Sequence, residues 1–102
     1  MLDATKTKIT YTDEGSKGRY TASVEGHAET AELTLSKLSE QTIIVDHTGV
    51  PDALRGMGLA GALADRVIAD ARDKGQRIVP LCPFFKAYAM KRHEELADVI
   101  QW

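Results

Sequence analysis

The sequence predicts a mixed α/β fold of the α+β kind, a mostly antiparallel sheet followed by an α-β-α unit. Three observations lead there. Up to residue 50, apolar residues recur at every second position between turn signals, the pattern of an antiparallel meander. Beyond residue 50 the apolar period lengthens to that of a helix. A chain of 102 residues suits one domain, 1–102, with a modest core.

In KITYTDEG (Lys8 to Gly15), Ile9 and Tyr11 alternate with Thr10 and Thr12 before a turn over Asp13 to Gly18. GRYTASVEG resumes the alternation with Tyr20, Ala22 and Val24 on one side, and AELTLSKL sets Ala31, Leu33 and Leu35 on one face. QTIIVDHTGV is β-branched and apolar at its centre, as a central strand is. Ala60, Leu63, Ala64, Val67, Ile68 and Ala71 then form one helical stripe, with Asp65, Arg66, Asp70 and Asp73 on the other side. Gly75 supplies the stop. RIVPL (Arg77 to Leu81) is a short buried strand. PFFKAYAMKRH (Pro83 to His93) is a second helix, with a proline in its first turn. Ala97 to Trp102 adds a last short strand or helical turn. The expected order is ββββ-α-β-α.

Composition narrows the function. A formal net charge of −2 gives no general attraction to nucleic acid or acidic membranes. The single cysteine, Cys82, excludes an internal disulfide and a cysteine-based zinc site, and no metal site is expected. No apolar run approaches the ~20 residues of a membrane span, and no signal peptide is visible. A cytoplasmic protein is the expectation.

The informative stretch is VPDALRGMGLAGALADRV, Val50 to Val67. Its three glycines, Gly56, Gly58 and Gly61, stand where an amphipathic helix begins, although glycine in a helix interior costs ~1 kcal/mol relative to alanine. Read literally, Gly56-Met57-Gly58-Leu59-Ala60-Gly61 is GxGxxG, but the context of a dinucleotide fingerprint is missing. VPDALR separates it from the preceding strand. The next strand ends in Leu81-Cys82, without an acidic residue to hold a ribose. No Gly-Lys-Ser/Thr makes it a P-loop. A nucleotide-binding domain is therefore disfavoured. A simpler phosphate-binding arrangement fits: a strand, a loop, then a helix N-terminus whose first amides lack internal partners and carry the positive end of the dipole. Glycines let those amides close on a diphosphate, and Arg55 adds a positive charge at the same mouth.

With Arg55-Gly56-Met57-Gly58-Leu59-Ala60 matching Arg/Gln-x-x-Gly-x-Gly/Ala, and Pro51 upstream, the sequence resembles the GNAT acetyltransferase superfamily. HTGV, VPDALRGMGLAGALA and RIVPLCPFFKAYAMKRH together look like its small, single-domain GNAT-like branch, from about Ala31 to Val99. The resemblance implies a compact GNAT-like fold that binds acetyl-CoA (coenzyme A) and transfers the acetyl group to an amine. Loop amides from Arg55 through Gly56, Met57, Gly58, Leu59 and Ala60 to Gly61 would wrap the pyrophosphate. The backbone near His47, Thr48, Gly49 and Val50 would pair with the pantetheine arm where the central strand splays, with Gly49 easing a bulge. The thioester would lie between the two parallel strand ends, near Cys82, Pro83 and Phe84.

Three candidate catalytic residues follow. Cys82 precedes a helix N-terminus, a setting that favours thiolate. It reads either as an acetyl carrier with His47 as base or as a small buried hydrophobe. His47 serves equally as base, or with a water path, for direct attack by the amine. The resemblance implies that Tyr88, one turn after Phe84, protonates the departing CoA thiolate; the residue pattern alone reads it equally as core. Phe84, Phe85 and Met90 read as core or adenine-side packing. Lys86, Lys91 and Arg92 form a basic surface near the 3′-phosphate or a solvated face. Ordinary GNAT domains insert a helix pair after their first strand, for which the first 50 residues leave no room. The acceptor side should be open, suiting a protein side chain, a chain terminus or completion by a partner. The alternative function is a CoA-binding or interaction module with little catalysis.

Overall fold

The computed structural model describes residues 6–102. Four strands, β1 (Thr7–Asp13), β2 (Lys17–Val24), β3 (Thr30–Lys37) and β4 (Thr42–Gly49), pair antiparallel in sequence order. A 3₁₀ turn (Asp52–Leu54) leads to α1 (Leu59–Lys74), which crosses the sheet to β5 (Arg77–Pro80). β5 lies parallel to β4, so the sheet order is β1-β2-β3-β4-β5. α2 (Pro83–Met90) follows. This is the mixed α+β architecture the alternation predicts. Among the described residues no helix separates β1 from β2, so the helix pair of ordinary GNAT domains is missing.

One sheet face carries the core. Tyr20, Ala22, Ala31, Leu33, Leu35, Ile43, Val45 and Ile78 are buried there. α1 covers them with Leu59, Leu63, Ala64, Val67, Ile68 and Ala71, the stripe read from the sequence with Leu59 in place of Ala60, which is only half-buried. Burying one Leu, Val or Ile side chain is worth ~1.5–3 kcal/mol, so packing outweighs the glycine cost in α1. The helix ends in a left-handed Gly75 (φ 68°), with Gln76 N–H on Ala71 O (2.8 Å) and Gly75 N–H on Arg72 O (3.2 Å). That pair of reversed bonds defines a Schellman cap. Strand alternation puts Arg19, Thr21, Glu32, Thr34 and Ser36 on the opposite, polar and half-buried face.

Three features differ from expectation. α2 stops at Met90 instead of His93, and residues 91–99 form successive turns. These turns bury Leu96, Val99 and Ile100, and Ile100 makes a single parallel bridge to Ile78. Continuing α2 would have carried those three apolar residues away from β5. Met90 is half exposed and is not core, whereas Phe85 is fully buried. The bulge in β4 lies at Asp46, not Gly49. Leu35 pairs with Val45 and Thr34 with His47, which leaves Asp46 as the extra residue.

Candidate functional site

The glycine loop has the geometry that phosphate binding needs. Gly56 and Gly58 have φ of 81° and 74°, a left-handed backbone that L side chains rarely adopt. A Cβ added at either would meet nothing within 4 Å, so protein packing does not explain their lack of side chains. Gly58 is the N-cap of α1, and no side chain caps that end. The helical ladder starts with Ala62 N–H on Gly58 O (3.0 Å), so the amides of Leu59, Ala60 and Gly61 have no acceptor within the helix. No acidic residue stands in the first turn to oppose an anion. Arg55 is 74% exposed and ion-paired to Asp52 at 2.9 Å, a surface pair worth little and easily exchanged.

The loop opens on a groove of about 350 Å³. Val50, Arg55, Gly56, Gly58, Leu59, Ala60 and Gly61 form one wall, and Phe84 and Tyr88 of α2 the other. Nine sequence candidates therefore meet in one groove, joined by Leu54, which the sequence reading did not single out. Met57 packs half-buried against the core, and Pro83 is the first residue of α2. A second cavity of about 380 Å³ between Tyr11, Lys37 and Lys74 lies at the opposite end of α1 and contains none of the candidates.

Beside the groove the sheet is split. β4 pairs with β5 only from Thr42 to Val45, while its other edge stays paired with β3 as far as Gly49. Cys82 N–H closes the parallel register on Val45 O at 2.9 Å. Past that point β5 no longer pairs with residues 46–49, whose β5-side backbone is a strand edge of the kind that can accept one more extended chain.

The Asp46 bulge decides which residue meets the thiol. Without it, period two would put His47 on the Val45 face. With it, Thr48 pairs with Leu33 on the core face, and the Cys82 Sγ donates to Thr48 Oγ1 at 3.6 Å. His47 pairs with Thr34 and is exposed toward the open side. The structure thus brings Cys82 to Thr48 and not to His47. The sequence held one signal of this: the apolar run Ile43–Val45 gives way to two polar residues in succession, Asp46 and His47. Gly49 gains a different explanation, because a Cβ there would stand 3.2 Å from His47 Nε2; its absence lets the imidazole lie along the strand. Asp46 itself accepts from Ser36 Oγ at 2.7 Å.

Tyr88 stacks on Phe84 with ring centroids 5.9 Å apart and lies over Gly61, where a Cβ would come 3.4 Å from its ring. Its hydroxyl donates to Asp65 Oδ1 at 2.8 Å. Burial, and then that carboxylate, push the phenol above its ordinary ionisation range, so it holds its proton. Arg92 donates to the same Oδ1 (2.9 Å) and also pairs with Glu95. Arg92 is therefore engaged, while Lys86 and Lys91 are exposed. The Tyr88–Asp65 contact joins residues on different helices, so no local pattern signals it.

A protein family described as GCN5-related N-acetyl-transferase matches the chain over residues 19–99, well over half its length. A search of curated proteins finds no match. Among the described residues, no helix is long and apolar enough to cross a membrane, and no group of three or more His, Cys, Asp or Glu residues is placed to hold a metal ion.

Proposed function

The chain belongs to the GCN5-related N-acetyltransferase family, and from that membership we infer that it binds acetyl-CoA in the glycine-loop groove and passes the acetyl group to an amine. One observation carries the placement: Gly56 and Gly58 hold left-handed conformations beside open space that protein atoms do not use. Amides of residues 55–61 would hold the diphosphate. The free edge of Thr48–Val50 would bind the pantetheine arm. Acetyl-CoA supplies a thioester carbonyl open to attack by an amine.

The protein's own residues then divide the work. His47, exposed on the side that no helix pair covers, takes the proton from the attacking amine directly or through water. Tyr88, held protonated, is the proton donor on the groove side. Cys82 is buried, and its hydrogen bond to Thr48 supports direct transfer over an acyl-enzyme that uses His47 as base. The open polar sheet face suits an amine carried on a protein, a side chain or a chain terminus. Intact-mass spectrometry of the protein with acetyl-CoA tests the reading. A non-covalent acetyl-CoA complex without a lasting acetyl adduct on Cys82 is the expected result. Absence of any complex would contradict it. A complex that never turns over with any amine would favour a binding module instead.

A further inference from the structure

We propose that the open sheet face carries the acceptor subsite beside His47, with Glu32 as the counter-ion that selects an alkylammonium group. A lysine side chain or another primary alkylamine brings such a group at neutral pH. The inference rests on the acetyl-transfer reading above and names its substrate class. The β3–β4 register opposes Glu32 to Gly49 and Thr34 to His47. Directly opposed residues hold their Cβ positions about 4.5–5.5 Å apart on one face. The His47 Nε2 stands 3.2 Å from the Cβ position that Gly49 lacks. Glu32 and the imidazole therefore flank the same bare patch of backbone from two sides. A pocket of about 340 Å³ opens there, lined by Thr30, Glu32, Gly49, Val50 and Pro51. Val50 also lines the glycine-loop groove, so the two cavities meet at one residue.

Glu32 is held in place and keeps its charge. Arg19 Nη1 donates to Glu32 Oε1 at 2.5 Å, and Arg19 Nε donates to Glu14 Oε2 at 3.3 Å. One guanidinium thus serves two carboxylates, and the trio keeps one negative charge. Glu32 Oε2 has no hydrogen bond to the described residues and is open to a further donor. An ammonium offers three donors and no acceptor. Its bond to a carboxylate is about twice as strong as one between neutral groups. With one N–H on Glu32, the acceptor nitrogen can turn a second toward His47 Nε2. There the N–H bond breaks, the Nε2–H bond forms and the nitrogen lone pair is freed. The lone pair attacks the thioester carbonyl carbon; the C–N bond forms and the C–S bond breaks. The nitrogen sheds one more proton as the amide forms, the departing sulfur takes up one, and His47 returns its own to water. Glu32 exchanges no proton, so it acts on acceptor binding and selectivity.

The test compares the parent chain with Glu32→Gln and Glu32→Asp. The acceptors are n-butylamine and aniline, which is uncharged at pH 7; acetyl-CoA is the donor and released thiol the readout. In Glu32→Gln the kcat/KM ratio of n-butylamine to aniline should fall about tenfold or more, the loss of one charged hydrogen bond. The fall should come from a higher KM for n-butylamine. Glu32→Asp should recover part of it. An unchanged ratio, or a fall carried by kcat alone, would overturn the proposal. Binding gives a readout without turnover. In the ¹⁵N-labelled parent chain, n-butylamine should shift the amides of Glu32 and residues 47–50, and the neutral n-butanol should not. Glu32→Gln should abolish those shifts. Equal shifts with n-butanol, or in Glu32→Gln, would overturn the proposal. If calorimetry shows no acetyl-CoA binding to the parent chain, the acetyl-transfer reading fails, while the subsite is decided by the amide shifts. None at Glu32 and residues 47–50 then overturns it too.

Discussion

Gly58 concentrates the whole claim in one position. Its φ of 74° strains any residue with a Cβ by about 1–2 kcal/mol. Nothing within 4 Å blocks that Cβ, so Gly58→Val should still fold. The valine would stand where a phosphate must come close. Calorimetry should show at least tenfold weaker acetyl-CoA binding, with unchanged far-ultraviolet circular dichroism. Equal affinity would move the ligand elsewhere. Arg55→Ala should cost about 1–3 kcal/mol of acetyl-CoA affinity, the range for a charged hydrogen bond, and almost no stability, because its ion pair with Asp52 is exposed. Pantetheine, which lacks the diphosphate, should bind both forms alike. Equal losses for the two ligands would make Arg55 structural. These residues are legible in the sequence because backbone freedom and fixed charge are properties of single residues. The contact of Asp65 with Tyr88 is not, because it joins residues on two different helices.

At the scale of elements, β4 is where sequence and structure part. Its apolar run from Ile43 to Val45 is plain, and the sheet pairs it on both sides. One extra residue at Asp46 then reverses which face the next side chains take, and period-two reading cannot say where such a residue falls. The result turns Thr48 to the thiol and His47 to the open side. α2 fails differently: its helical pattern runs on past Met90, but Leu96, Val99 and Ile100 gain more by folding back onto β5. The β4 geometry leads to a prediction about Cys82. Cys82→Ala should leave acetyl-CoA affinity within about twofold, since the ligand is held by the loop amides and the strand edge. It should also keep most of the turnover. An acetyl adduct on Cys82 that forms and then disappears on adding amine, as fast as turnover, would show that the thiol carries the group.

For the molecule as a whole, the order ββββ-α-β-α and the single covered face are legible because both follow from apolar periodicity. The groove is not, since its two walls come from the loop before α1 and from α2. Charge sets the limits of stability. Asp13, Glu95 and Asp98 are held below their ordinary values of 3.8, 4.5 and 3.8, first by hydrogen bonds from Lys37, Arg92 and Arg72 respectively. Their contribution is present above those values and is lost as pH falls below them. Because all three are exposed, salt should weaken it. At the other limit, burial and then Asp70 raise the Tyr20 phenol well above its ordinary 10.0. The folded chain keeps a proton that the unfolded chain releases, so this stability is full below about pH 10 and declines above it. Thermal midpoints should fall from about pH 10 upward, with a shallower slope in Tyr20→Phe; an unchanged slope would remove Tyr20 from the account. The most direct test of the central claim is amide chemical-shift mapping of the ¹⁵N-labelled protein as acetyl-CoA is added. The account predicts that the largest shifts fall on residues 55–61 and on Thr48–Val50, with smaller ones at Phe84 and Tyr88. Shifts confined to the cavity at Tyr11, Lys37 and Lys74, or no shifts at all, would contradict it.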